Sequence, residues 1–134
     1  MEVNSNFGPI DIAISGLRAQ ERNINVISSN VANAQTTDTG NGQPYRRQEA
    51  VFKLDGDGIG GVKLDELSSD MSDFQQILKP GHPNADAQGY VSMPNVNVPI
   101  EMMSLNVAAR AYEANTAVLK RYQTMVETTL ELLR

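Results

Sequence analysis

The chain has 134 residues, 40% of them hydrophobic and 5% aromatic, with no Cys, no Trp and a formal net charge of −5. That length suits one domain, and the acidic balance argues against nucleic acid, whose binding rests on Lys and Arg neutralising phosphates. The absence of Cys excludes disulfides, thiolate metal sites and a cysteine nucleophile, and no run of about 18 apolar residues is available to span a bilayer.

The first ten residues, MEVNSNFGPI, lack a basic region followed by an apolar stretch, so no cleavable secretory signal is expected. Met1 to Phe7 are polar and expected to fray. Pro9 suits the first turn of a helix, where its missing N–H costs nothing. From there Ile10, Ala13, Leu17, Gln20, Ile24, Ile27 and Val31 recur at steps of three and four, with Ile14 widening the stripe. Arg18, Glu21, Arg22, Asn25 and Ser29 occupy the opposite face. The spacing predicts an amphipathic helix ending near Asn33 or Ala34, where QTTDTGNG supplies turn formers. Gly16 costs about 1 kcal/mol relative to Ala inside a helix. It marks either a tolerated surface glycine or a close approach by another helix.

The middle has a different texture. Tyr45, Arg47, Glu49 and Val51 alternate with Arg46, Gln48, Ala50 and Phe52, as in a strand. The cluster DGDGIGG then turns the chain, and Val62–Leu64 reads as a short return strand. The polar stretch from Asp65 to Val98 contains Pro80, Pro83 and Pro94, with Pro99 just after it. Central strands tolerate proline poorly, so extended segments and turns are expected there, with a strand near Tyr90–Met93 at best.

Beyond Pro99 the sequence contains neither Gly nor Pro. Leu105, Ala108, Tyr112, Asn115, Leu119, Tyr122, Val126, Thr129 and Leu133 form a heptad seam. A second line runs beside it at steps of seven through Ala111, Val118, Met125 and Leu132. A helix of roughly 33 residues would be about 50 Å long. Two adjacent seams are more than one partner helix can cover, and exposed apolar stripes of that length mark assembly surfaces.

Other constellations point elsewhere less well. Residues Asp55–Glu66 match an EF-hand loop at positions one, three, six, eight and twelve, but Ile59 stands where position five should supply an oxygen. The flanks read as strands, and a glycine-rich hairpin turn explains the same residues. His82, the sole histidine, lies between Gly81 and Pro83 and reads as a turn residue. No phosphate-binding loop, zinc motif or acid–base pair is present, so neither catalysis nor a cofactor is expected. Gln20 and Asn115 interrupt the two seams. Each is either solvated at a seam edge or set against the other, or against a neighbouring subunit, to fix register.

The expected fold is α+β and mainly helical. Long terminal helices pack as a coiled-coil-like pair with a small β-rich or extended central insertion. Residues 1–36 and 99–134 form a discontinuous terminal-helix domain, and 37–98 a central β-hairpin and extended outer region. The expected contact residues are Ile10, Leu17, Ile24, Ile27 and Val31 on the first helix. On the second they are Leu105, Tyr112, Asn115, Val118, Leu119, Tyr122, Met125, Val126, Leu132 and Leu133. Function classes open at this point are a polymerising bundle protein, a generic coiled-coil adaptor and a calcium-binding module using the 55–66 loop.

The run SGLRAQERNINVISSNVANAQT resembles the opening of the bacterial flagellar axial family, the rod, hook and hook-associated proteins. The signature there is Asn30-Val31-Ala32-Asn33-Ala34-Gln35-Thr36. The C-terminal run AARAYEANTAVLKRYQTMVETTLELL resembles the matching end of that family. PYRRQ at Pro44–Gln48 and PGHPNADAQGYVSMPNVN at Pro80–Asn97 narrow the resemblance to its proximal rod proteins. The resemblance implies a structural subunit that stacks helically into a torque-transmitting shaft, its terminal helices lining a tube around the export channel. Partners so implied are further copies of itself, the rod proteins FlgB, FlgF, FlgG and FliE, and the flagellar export apparatus, with no nucleic acid and no direct membrane insertion. The implied location is the basal-body rod spanning the periplasm, reached by type III export without a cleaved signal.

Overall fold

The structure is a computed structural model that describes residues 8–56 and 60–134. Its elements run α1 (Pro9–Ala32), β1 (Gln48–Asp55), β2 (Gly61–Ser69), β3 (Gln75–Leu78), β4 (Tyr90–Met93) and α2 (Val98–Leu132). The expected α+β arrangement holds, with two terminal helices and small antiparallel sheets between them. Among the described residues no helix is long and apolar enough to cross a membrane.

Both helices start where local chemistry permits. Pro9 opens α1, and the Asp11 carboxylate accepts from the Gly8 N–H at 3.2 Å. Asn97 caps α2, its side chain accepting from the Ile100 N–H at 3.3 Å, with Pro99 in the first turn. Such a cap satisfies one of the four N–H groups a helix start leaves unpaired.

The helices pack antiparallel. Asn30 near the end of α1 bonds Glu101 near the start of α2, and Gly16 sits against Asn115. These contacts lie fourteen residues apart on each helix, so the pairing keeps one register. A Cβ on Gly16 would lie 2.8 Å from the Asn115 amide nitrogen, so Gly16 is a point of close helix approach. Asn115 thus meets Gly16 rather than Gln20. Continuing that register sets Pro9 opposite Tyr122, the last residue of α2 that is not exposed. The remaining ten residues of α2, about 15 Å of helix, run beyond α1.

The hairpin β1–β2 lies on α1 and binds it directly: the Val62 N–H donates to Ser15 Oγ at 2.9 Å. The first strand begins at Gln48 rather than Tyr45. The Tyr45 N–H is taken by the Thr36 carbonyl and the Arg47 N–H by Asn95 Oδ1, which leaves neither for a ladder. The return strand extends to Ser69, well beyond Leu64. A bulge between Val51 and Phe52 in the pairing register leaves Asp65 without an opposite residue. Lys53 and Lys63 face each other across the hairpin, a repulsive pair relieved by Asp65 on Lys53 and Asp55 on Lys63. The second ribbon pairs Gln75–Leu78 with Tyr90–Met93. Its second strand falls where expected, and Gln75–Leu78, in the stretch expected as extended segments and turns, is a strand whose side chains are all exposed and carry no alternation.

Buried apolar side chains among the described residues are Ala13, Ala19, Ile27, Val91 and Ala108. Three are alanines, each with little side-chain surface to bury. A buried Ile or Val contributes about 1.5–3 kcal/mol, so apolar burial alone leaves this chain thinly held.

Candidate assembly surface and its polar joint

The expected contact residues separate into groups according to where the structure places them. On α1, Ile27 is buried, while Ile10, Leu17, Ile24 and Val31 are half-buried. On α2, Leu105, Asn115, Leu119 and Tyr122 are half-buried and lie on the side that meets α1. Tyr112 is 40% exposed. Val126 and Leu133 belong to the same seam by spacing, yet they are exposed because α1 does not reach them. Val118, Met125 and Leu132 of the second seam are all exposed, Leu132 at 83%.

This second seam is longer than its sequence spacing alone revealed. Ile100 and Val107, eighteen and eleven residues before Val118, project onto the same side of the helix at about 100° per residue, and they are 55% and 69% exposed. At about 3.6 residues per turn the stripe sits roughly 100° around α2 from Glu101 and Ala108. It is therefore a separate face, running from the first turn of the helix to its last.

A polar cluster, not anticipated as a unit, joins the helices to the β region. Asn30 is fully buried. Its amide nitrogen donates to the Gln48 carbonyl at 2.8 Å and to Glu101 Oε2 at 3.1 Å. Its oxygen accepts from the Gln48 N–H and from the Tyr45 hydroxyl, each at 3.0 Å. Glu101 is 1% exposed and its other oxygen accepts from Arg47 Nε at 2.6 Å. Arg47 also pairs with Glu49 and approaches Asp70 at 3.6 Å. Burial pulls the Arg47 guanidinium down, but hydrogen bonds to Glu49 and Glu101 and their charges outweigh it and raise it above its ordinary value. Arg46 donates to the Asp70 and Ser72 carbonyls and lies 4.1 Å from the Phe74 ring centre. Asn95 accepts from the Arg47 N–H and donates to the Asp70 carbonyl at 2.9 Å. A buried charge is tolerated only when paired and hydrogen-bonded, and here one partner of Glu101 comes from α1 and the other from the loop before β1. In the sequence Asn30 and Glu101 fall beside the apolar seams, and spacing alone gives neither a partner.

Elsewhere the side chains have ordinary structural work. His82 lies in a turn, its Nδ1 accepting from the Asn84 N–H at 3.1 Å. The Gln20 oxygen is buried without a partner among the described residues. Positions Asp57 and Ile59 of the calcium-loop reading lie outside the described residues. The loop's flanks are strands β1 and β2, not helices, and Asp55 and Asp65 are engaged by lysines. No group of three or more metal-ligating side chains occurs among the described residues.

Comparison with known proteins bears on both ends. The family described as flagella basal body rod protein matches residues 10–38, and the C-terminal family of flagellar basal body rod FlgEFG proteins matches residues 87–132. Two long terminal helices with those signatures define a flagellar rod protein, structural and not enzymatic. The chain is 43% identical to the flagellar basal-body rod protein FlgC of Salmonella typhimurium, over 91% of this chain and 93% of that one. It is 42% identical to FlgC of Agrobacterium fabrum (92% and 91% covered) and 38% identical to FlgC of Borreliella burgdorferi (96% and 97% covered). The chain belongs to the FlgC family of flagellar basal-body rod proteins. It is a structural subunit of the bacterial flagellar basal body.

Proposed function

We propose that this chain polymerises helically with copies of itself and with adjoining rod proteins (FlgB, FlgF, FlgG and FliE) to form the proximal part of a torque-transmitting shaft. In this reading residues 1–36 and 99–134 are a coiled-coil-like core surrounding an export channel, and 37–98 form the outer part. The chain reaches its place in the periplasm through the type III export apparatus, without a cleaved signal. The observation that carries the reading is the second α2 seam, on which Ile100, Val107, Val118, Met125 and Leu132 are exposed in a single chain. The first seam meets the chain's own α1, which leaves the second for a neighbour.

Val118 lies mid-seam and exposed, so Val118→Asp has little effect on the folded monomer and places a carboxylate in the subunit contact. The expected result is normal soluble expression, loss of the chain from purified hook–basal bodies and loss of motility. Normal motility in that variant would sink the assignment of this seam to assembly.

A further inference from the structure

The outer side of α1 and the hairpin enclose a groove that the two seams do not use. One cleft of 440 Å³ is lined by Ile14, Arg18, Arg22 and Leu64 among others, and a second of 260 Å³ continues from Arg22 and Leu64 to Val26 and Leu67. Arg18 and Arg22, one helical turn apart, are exposed and make no ion pair among the described residues. Lys63 on the facing strand is bound to Asp55, and Asp11 lies at one end of the groove. In a chain of net charge −5, an arginine pair over an apolar floor fits an acidic, apolar-edged segment.

The end of α2 is such a segment. Glu127 and Glu131 are also one turn apart, and Leu130 lies beside them, all exposed. They sit on the ten residues that run beyond α1, which no element of the same chain flanks among the described residues. No basic residue lies in the last turn of α2. The two carboxylates therefore add to the partial negative charge that a helix C-terminus already carries, and this end of the helix favours cations. Nearby charges are Lys120 and Arg121, about two turns back from Glu127, and Arg134 just after the helix.

We propose that the free end of α2 docks into the α1–hairpin groove of a second copy, setting Glu127 and Glu131 against Arg18 and Arg22 with Leu130 over Leu64 and Leu67. Groove and helix end are different surfaces of one chain, so the contact is head-to-tail and extends copy by copy. It rests on the reading that copies of the chain assemble, and adds a second, charge-dependent contact to the seam.

Two experiments test it in flagellated cells that express the chain. Arg18→Glu with Arg22→Glu, and separately Glu127→Arg with Glu131→Arg, each set like charges together and are expected to leave on the order of tenfold less chain in purified basal bodies. All four changes in one chain restore the opposite charges and are expected to restore incorporation. The sequence has no cysteine, so Glu127→Cys paired with Arg22→Cys or with Arg18→Cys should give an oxidation-dependent dimer in isolated basal bodies. The first pair reports an antiparallel seating and the second a parallel one. Full incorporation of both charge-reversed variants, or loss that the four-fold variant does not reverse, overturns the docking while leaving the rod reading intact. Absence of the unaltered chain from basal bodies overturns the rod reading itself.

Discussion

Arg47 shows how much one residue can hold. Its side chain is the cationic partner of a carboxylate that is 1% exposed, and its N–H is fixed by Asn95. Removing one partner of a buried pair costs about 3–5 kcal/mol, whereas replacing both with apolar residues is often neutral. Arg47→Met is therefore expected to lower urea-unfolding stability by about 3 kcal/mol, and Arg47→Met with Glu101→Met to recover most of it. Equal losses in both variants would show that the pair does not act as a unit. Asp70 adds a pH dependence to the same joint. Its carboxyl is held below its ordinary value of 3.8 by hydrogen bonds from the Ser72 backbone and side chain, opposed by burial and aided by Arg47 and Arg46. The unfolded chain binds that proton more readily. The stabilisation is complete above the ordinary value and is lost as pH falls through the lower folded value. Asp70→Asn should flatten the acid limb of a stability–pH curve and leave the curve near neutrality parallel to that of the unaltered chain.

At the scale of elements, legibility followed periodicity. Both helices could be read closely because a three-four stripe persists for many turns, and proline and asparagine mark their starts. The strands were harder. Gln48–Asp55 was displaced by three residues because side-chain and loop acceptors claim the N–H groups of Tyr45 and Arg47, a tertiary effect invisible in alternation. Gln75–Leu78 has no inward face and so no pattern to find. The polar joint was legible only in pieces. The Asn30–Thr36 signature, PYRRQ and the Pro80–Asn97 stretch, which carry the family resemblance, meet in the fold. Asn30 holds the Gln48 main chain, Tyr45 bonds Asn30, and Asn95 bonds Arg47. Asn84 also bonds Thr37 Oγ1 at 2.9 Å. Three segments far apart in sequence share one hydrogen-bonded network. The charge at Glu101 is the part no spacing rule could locate, because burial of a carboxylate depends on partners from α1 and from the loop before β1.

Across the whole molecule, order should decline along α2 in a single chain. The part of α2 up to Tyr122 runs alongside α1 and holds the polar joint, whereas the last ten residues have no flanking element among the described residues. Helices gain most of their stability from packing one face, and local opening is cheapest where buried contacts are few. Hydrogen exchange on dilute monomer should therefore show amides slowest around Glu101–Ala108, intermediate to about Tyr122, and fastest from Gln123 to Leu132. Protection should then rise in the last segment within assembled rods, where a neighbour covers it. Uniform protection along α2 in the monomer would mean that the end is held without a partner. The exposed seam and the acidic end would then have to be explained by something other than subunit contact. A gradient present in the monomer and absent in the rod is what a subunit would show if folding of its C-terminal end were completed by assembly.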